Sequence, residues 1–104
     1  MSSYIIVWHY DIDPAVQAQF EAAYGPAGDW ASLFRRSADY LGTQLLRDVG
    51  IAHRYVTLDH WLTEDAFLAF KAQHQANYDA LDRSCESLTV SEVRVGAFWC
   101  HEPS

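Results

Sequence analysis

Basic residues are scarce in this chain of 104 residues. Seven lysines and arginines stand against fourteen aspartates and glutamates, which gives a formal net charge of −7. Phosphate backbones and anionic lipid surfaces repel a chain of this charge, so we expect neither nucleic acid nor membrane partners. The sequence has no apolar run near the roughly 20 residues of a membrane-spanning helix, and it starts without a basic leader. These absences predict a cytoplasmic protein.

Cysteine is also rare. Cys85 and Cys100 are the two cysteines, and they lack a CxxC or Cys/His ligand spacing, so a zinc site has no support. We expect free thiols, with a redox pair left open because the end of a helix and the end of a strand can meet. The chain also lacks GxSxG, a Walker loop, a dinucleotide glycine fingerprint and HExxH. Hydrolysis by a nucleophile, phosphate binding and zinc chemistry therefore have no motif.

The chain is rich in apolar residues, at 50% hydrophobic and 14% aromatic, which suits one domain over residues 1–104. β-branched and aromatic runs predict four strands, at Tyr4–Tyr10, Gly42–Val49, His53–Leu62 and Glu92–Cys100. Asp13 and Pro14 start a first helix that ends at the segment 25–28. Asp29 caps a shorter helix, with Arg35 and Arg36 in its last turn.

The strongest periodic signal is a long helix capped by Thr63. Its apolar stripe repeats every three or four residues over six turns, at Phe67, Phe70, His74, Tyr78, Leu81, Cys85 and Leu88. The element order is then strand, helix, strand, strand, helix, strand. That order predicts an α+β, ferredoxin-like βαββαβ sandwich, in which the helices cover one face of a four-stranded antiparallel sheet.

The other face of the sheet is also apolar. The first strand carries Ile5 and Val7 on one side and Ile6, Trp8 and Tyr10 on the other. Exposed apolar patches of this size are rare on monomers, so we expect a second copy to cover this face. The sequence therefore predicts a homodimer.

Several stretches resemble the antibiotic biosynthesis monooxygenase family of dimeric α+β barrel proteins. They are GDWASLFRR, YLGTQLLRD, RYVTLDHW followed by TEDAFLAF, and AQHQANYDALD. The resemblance implies a dimeric α/β barrel with sheets packed face to face and one pocket per subunit between sheet and helices. Some members oxygenate aromatic phenols without metal or flavin, while others bind and degrade haem.

The resemblance also implies site residues. The cofactor-free oxygenases use an Asn, a Trp and a Tyr; here Trp61 matches the Trp, while Thr57 and Phe67 stand at the Asn and Tyr positions. The haem-degrading members carry a Trp and a ligand His on the long helix, and this chain has Phe70 and Ala80 there. A haem site of the family type is therefore the less favoured expectation.

Two polar residues are candidates for chemistry. Strand alternation puts Asp59 on the same face as Tyr55, Thr57 and Trp61. Among aromatic rings a carboxylate is desolvated, which raises its pKa towards that of a general base; the alternative is a carboxylate at the rim or paired with an Arg. His74 interrupts the apolar stripe and could bind or deprotonate a phenol, or be a core histidine bonded to a backbone carbonyl.

We predict Asp59, His74 and Trp61 as catalytic residues. The predicted substrate-binding residues share aromatic or hydroxyl side chains and are Tyr24, Trp30, Tyr55, Thr57, Phe67, Phe70 and Tyr78. Aromatic residues at helical spacing are also what a plain core requires. The function we expect is a monooxygenase without cofactor or metal that acts on a small aromatic or polyketide-like molecule. The alternatives are a non-catalytic dimer that binds a small ligand and, with less support, a haem-binding protein.

Overall fold

The computed structural model describes residues 2–101, so position 1 and positions 102–104 of the predicted domain lie outside the described residues. Four strands form one sheet: β1 (Ser2–Asp11), β2 (Tyr40–Arg47), β3 (Arg54–Trp61) and β4 (Ser91–His101). Their order is β2-β3-β1-β4, and all neighbours are antiparallel. The predicted α+β, ferredoxin-like fold is confirmed.

Four helices accompany the sheet: α1 (Gln17–Tyr24), α2 (Asp29–Phe34), α3 (Glu64–Gln73) and α4 (Gln75–Cys85). Short 3₁₀ turns at Pro14–Val16 and Glu86–Leu88 precede α1 and follow α4. The Asp13 side chain accepts from the backbone of Ala15, as expected for a cap before a proline. Among residues 2–101, no helix is long and apolar enough to cross a membrane.

The predicted details of α2 are wrong. Gly28, not Asp29, is the N-cap, and Asp29 is the first helical residue. The helix ends at Phe34, before the two arginines. The Arg35 guanidinium instead donates to the carbonyl of Pro26 at 2.6 Å, so it ties the end of α2 back to the loop that precedes it.

The prediction of one long helix after Thr63 is also wrong. Thr63 does cap α3, and its hydroxyl accepts from the backbone of Ala66 at 3.1 Å. His74 then leaves the helical region, at φ −115° and ψ 27°, and separates α3 from α4. Its N–H still bonds the carbonyl of Phe70, and its carbonyl accepts from Tyr78, both at 2.9 Å. Because these bonds keep the four-residue spacing, the side-chain periodicity gives no sign of the break.

The helix-facing side of the sheet carries the core. Its buried strand residues include Tyr4, Ile6, Tyr10, Tyr55 and Trp61. Residues of the opposite parity form the outer face, where Leu46, Val93 and Phe98 are about half exposed, at 48%, 46% and 49%. The two cysteines are free thiols, as expected, with Cys85 buried and Cys100 partly buried.

Two strands carry an extra residue. In β2, Tyr40 pairs with Trp61 and Gly42 with His60, so Leu41 is a bulge. In β4, Val95 is the extra residue beside the Val7–Gly96 pair. Each bulge is followed by a glycine of positive φ, +133° at Gly42 and +155° at Gly96, a conformation that side chains disfavour.

Candidate functional site

A cavity of about 330 Å³ lies between the sheet and the helices. The sheet wall consists of Trp8, Tyr10, Thr43, Thr57, Asp59 and Glu92. The helix wall consists of Tyr24, Trp30, Phe34, Lys71, Gln75, Tyr78, Asp79 and Asp82. A space of this size suits a small organic molecule, and its position agrees with the pocket that the family resemblance implies.

Asp59 provides a carboxylate within the sheet wall. It sits on β3 opposite Thr43 of β2, whose hydroxyl donates to Asp59 Oδ1 at 2.7 Å. Burial raises the pKa of Asp59 from its ordinary 3.8 to about 6, and the Thr43 hydrogen bond opposes that shift. The group is therefore ionised at neutral pH and can still accept a proton from an acidic hydroxyl.

Tyrosine hydroxyls are further polar groups of the interior. Burial raises the pKa values of Tyr10 and Tyr24, and it raises that of Tyr78 to about 12. The Thr57 hydroxyl donates to that of Tyr10 at 3.5 Å. At neutral pH these phenols are hydrogen-bond partners for a ligand and carry no charge.

The mouth of the cavity is acidic. Asp79 and Asp82 on α4 and Glu92 on β4 are exposed residues of its lining, and Lys71 is its one basic residue. Burial, followed by the charges of Asp82 and Glu86, raises the pKa of Glu92. Lys71 Nζ lies 4.8 Å from the ring centroid of Tyr78, a cation–π distance.

Five of the predicted site residues lie in the cavity wall: Tyr24, Trp30, Thr57, Asp59 and Tyr78. Trp30 is nine-tenths buried, and its indole N–H, which lies near the Tyr24 hydroxyl and the Cys85 thiol, makes no well-formed hydrogen bond among residues 2–101. A buried donor without a partner is unusual, so a ligand oxygen beside Trp30 would satisfy it.

The other five predicted residues lie outside the cavity lining. Trp61 has no exposed surface and packs against Phe34, Phe67 and Phe70, with centroids 5.3–5.5 Å apart. This aromatic cluster lies at the Trp61 end of β3 and belongs to the core.

His74 and Tyr55 are likewise placed elsewhere. The His74 ring is tilted by 39° to that of Phe70, with centroids 5.0 Å apart, at the junction of α3 and α4. The Tyr55 hydroxyl donates to the Glu21 carboxylate. Strand alternation put Tyr55 and Trp61 on the correct face of β3, but the cavity reaches only the middle of that strand.

Sequence reasoning missed nine residues of the lining, and a signal exists for most of them. On the helix side, positions 71, 75, 78 and 82 follow one another at steps of three and four residues, beside the apolar stripe. On the sheet side, Trp8 and Tyr10 share the parity of the buried Tyr4 and Ile6. Thr43 had no sequence signal, because its partner depends on strand register. No three His, Cys, Asp or Glu side chains of the described range lie close enough to hold a metal ion.

Comparison by sequence finds no relative: no family model matches the chain, and no curated protein matches it. Comparison by structure does find similar proteins. SnoaB from Streptomyces nogalater, described as a cofactor-independent oxygenase, superposes with a TM-score of 0.72 over 100% of this chain and 96% of its own, at 19% identity. A candidate antibiotic biosynthesis monooxygenase from Bordetella bronchiseptica has a TM-score of 0.69 over 100% and 98% of the two chains, also at 19% identity.

A third solved structure is MhuD, which was determined with two manganese protoporphyrin IX molecules per active site. It superposes with a TM-score of 0.62 at 19% identity, over 95% of this chain and 93% of MhuD. The chain thus has the fold of the antibiotic biosynthesis monooxygenases, as the sequence resemblance predicted. The same fold also includes a protein that binds a porphyrin.

Proposed function

We propose that this protein is a cofactor-independent monooxygenase that acts on a small aromatic, polyketide-like phenol or enol, with Asp59 as the general base. One observation carries the proposal: the Asp59 carboxylate, with a pKa raised by burial to about 6, lies in the sheet wall of an aromatic cavity and is hydrogen-bonded by Thr43. The fold shared with SnoaB supports it. A base whose pKa lies near the working pH is the kind of group that proton abstraction requires.

The reaction needs little from the protein beyond binding and proton handling. Asp59 takes the proton of the acidic hydroxyl, and the resulting anion gives an electron to O₂. The two radicals combine at the ring carbon to form a peroxide anion, which takes the proton back from Asp59 and becomes a hydroperoxide. Loss of water then leaves a carbonyl. The O–H and C–H hydrogens leave with one oxygen atom as water, and the other oxygen atom stays on the product. The aromatic walls limit water around the anion and the peroxide.

The walls also favour one class of substrate. Three exposed carboxylates at the mouth oppose the single Lys71, so an anionic ligand meets a repulsive field. Rings in both walls suit a planar ligand, and the unpartnered N–H of Trp30 suits a carbonyl or hydroxyl oxygen. The substrate proposed is therefore a planar phenol or enol that is neutral in solution and loses its proton inside.

A dimer that binds a ligand without turnover is the second candidate. It is favoured by Thr57 and Phe67, which stand where the oxygenases of the family have an Asn and a Tyr, and by Trp61, which matches the family Trp but lies outside the cavity lining. Haem binding has less support. His74, which could ligate iron, also lies outside the lining, so the residues present do not fit a haem ligated from this cavity.

The proposed enzyme is tested by aerobic turnover with a chelator present and no flavin added. A panel of anthrones and naphthols is followed by quinone absorbance and by oxygen uptake. We expect turnover in the wild type and a loss of roughly 10²-fold or more in Asp59→Asn. Asp65→Asn, an exposed acid on α3, is the matched control and should keep full activity.

Three outcomes separate the candidates. Inert protein that still binds naphthoquinone would indicate a binder. A Soret band with haemin that disappears in His74→Ala would favour haem. Turnover that survives Asp59→Asn would leave an oxygenase with another base.

The homodimer also belongs to the proposal. The half-exposed apolar side chains of the outer face, such as Leu46 and Phe98, are what a second sheet would cover. A cytoplasmic location stays a prediction from sequence.

A further inference from the structure

Asp59 is the end of a chain of three side chains. The Tyr40 hydroxyl contacts the Thr43 hydroxyl, and the Thr43 hydroxyl contacts Asp59 Oδ1 at 2.7 Å. Thr43 is buried, at 9% exposure. Neither hydroxyl belonged to the site predicted from sequence, and Tyr40 is absent from the cavity lining.

The bulge at Leu41 makes this chain possible. In a regular strand, residues three apart point to opposite faces. The extra residue resets the alternation, so Tyr40 and Thr43 lie opposite Trp61 and Asp59, two residues of the helix-facing side. Bulges often redirect a side chain beside a functional site in this way.

The directions of the two hydrogen bonds follow from the available protons. A threonine hydroxyl has one proton, and here it is donated to Asp59. Thr43 must then accept from Tyr40. Burial raises the pKa of Tyr40, so its hydroxyl keeps its proton. Both donors therefore point towards Asp59 Oδ1.

Oδ2 remains for the ligand. Among the described residues, Thr43 is the hydrogen-bond donor found for Asp59, and it is bound to Oδ1. A proton on Oδ1 would displace the Thr43 donor and reverse both bonds. A proton on Oδ2 leaves them intact.

We infer that Thr43 and Tyr40 are positioning residues for Asp59, which hold Oδ1 as an acceptor and leave Oδ2 to receive the proton of the ligand. The inference rests on the proposed function for the identity of that ligand. It makes the β2 bulge part of the site, although no atom of Leu41 or Gly42 lines the cavity.

Other groups face the same cavity and bear on the titration of Asp59. β1, α1, α3, α4 and β4 contribute the following titratable side chains: Tyr10, Tyr24, Lys71, Tyr78, Asp79, Asp82 and Glu92. From α2, Trp30 and Phe34 do not titrate. The tyrosines stay neutral near pH 6, and the charged side chains sit at the mouth. None of them hydrogen-bonds Asp59, so the effect of a Thr43 substitution on the titration of Asp59 can be distinguished from theirs.

The test compares Thr43→Val, Thr43→Ser and Tyr40→Phe with the wild type. Carboxyl ¹³C NMR reports the titration of Asp59 directly, with Asp59→Asn to assign its signal. A hydrogen bond to the ionised form lowers a carboxyl pKa, so its loss in Thr43→Val should move the midpoint up by roughly one pH unit. Thr43→Ser, which keeps the hydroxyl, should restore it. Tyr40→Phe should shift it in the same direction by less, because Tyr40 acts through Thr43.

Turnover provides the second readout. The acid limb of the pH–rate profile should move with the NMR midpoint, so that Thr43→Val loses roughly fivefold near pH 6, close to tenfold near pH 5, and little above pH 8. A loss that is equal at all pH values, or an Asp59 midpoint unchanged in Thr43→Val, would overturn the inference. A shifted NMR midpoint in a protein that turns over no substrate would leave the positioning role standing and defeat the proposed function.

Gly42→Ala keeps both hydroxyls and tests the bulge. A Cβ at Gly42 meets no atom within 4 Å, but φ +133° is strained for alanine. Relief of that strain moves β2 at the bulge, so the Asp59 midpoint should rise as in Thr43→Val. A folded Gly42→Ala with an unchanged midpoint would contradict the role given to the bulge.

Discussion

The indole of Trp30 and the ring of Tyr78 meet edge to face, with centroids 5.0 Å apart. Trp30 belongs to α2 and Tyr78 to α4, so this contact joins the two helices across the helix wall of the cavity. Aromatic pairs in this geometry contribute about 0.5–1.5 kcal/mol beyond burial. The pair therefore fixes the shape of the space in which a planar ligand would bind.

Replacing Trp30 with leucine should weaken binding of a planar ligand. The change removes a ring and an N–H donor from the wall, and we expect an affinity about tenfold lower for 1,4-naphthoquinone. Fluorescence or calorimetric titration measures it. Trp99→Leu, which changes an indole 54% exposed and outside the cavity lining, is the matched control. Equal losses in both variants would argue against a ligand beside Trp30.

Asp59→Asn should stabilise the fold at neutral pH. The folded protein holds the pKa of Asp59 at about 6, above its ordinary 3.8, so the fold favours the protonated form. The wild type therefore loses stability from this group as pH rises from about 4 to 6, and the loss persists above. Asparagine is neutral throughout, so the variant should gain about 2–3 kcal/mol at pH 7.5 and little at pH 4.

Urea unfolding at the two pH values measures this difference. Asp65→Asn, on the exposed side of α3, should show no comparable dependence on pH. A variant of Asp59 that is less stable than the wild type at pH 7.5 would mean that the carboxylate is held by interactions that outweigh its desolvation.

The acidic mouth should discriminate between ligands by charge. We expect 2-naphthol to bind more tightly than 2-naphthalenesulfonate, since Asp79, Asp82 and Glu92 repel the sulfonate. Changing Asp82 and Glu92 together to Asn and Gln should reduce the preference several-fold, and 0.5 M salt should do the same. If the preference is identical in the double variant, the charges of the mouth do not set it.

A charge on the outer face should break the proposed dimer. Phe98 is half exposed on the edge strand β4 and pairs with Ile5 of β1 on that face. Phe98→Glu would bury an unpaired carboxylate between two sheets, at a cost of several kcal/mol per copy. Light scattering should then report 11.8 kDa monomers in place of dimers. Leu68→Glu, on an exposed part of α3, should leave the mass unchanged.

Much of the fold could be predicted from local patterns. The β-branched runs located all four strands within a few residues, and Thr63 and Asp13 marked helix starts because capping depends on neighbouring residues alone. The break at His74 could not be predicted. Only one residue leaves the helical conformation, and the apolar side chains before and after it keep their spacing of three or four residues. The end of α2 was missed because Arg35 is drawn to the Pro26 carbonyl, a contact made through space.

The site was predictable on β3 and less so elsewhere. Alternation identified the face that carries Asp59 and Thr57, and the apolar environment of Asp59 indicated the direction of its pKa shift. Thr43 and Tyr40 could not be found in the same way. Their common face depends on the Leu41 bulge, and a bulge has no dependable sequence signal apart from a glycine.

The second bulge, at Val95, has a consequence for how the protein behaves at high concentration. β4 is an edge strand of 11 residues with apolar side chains on both sides. Edge strands of this kind can pair with strands of other molecules and so promote aggregation. An extra residue in mid-strand breaks its hydrogen-bonding register into two short lengths. A strand from another molecule could pair in register with one of these lengths but not with both. The bulge therefore opposes aggregation by strand addition at this edge.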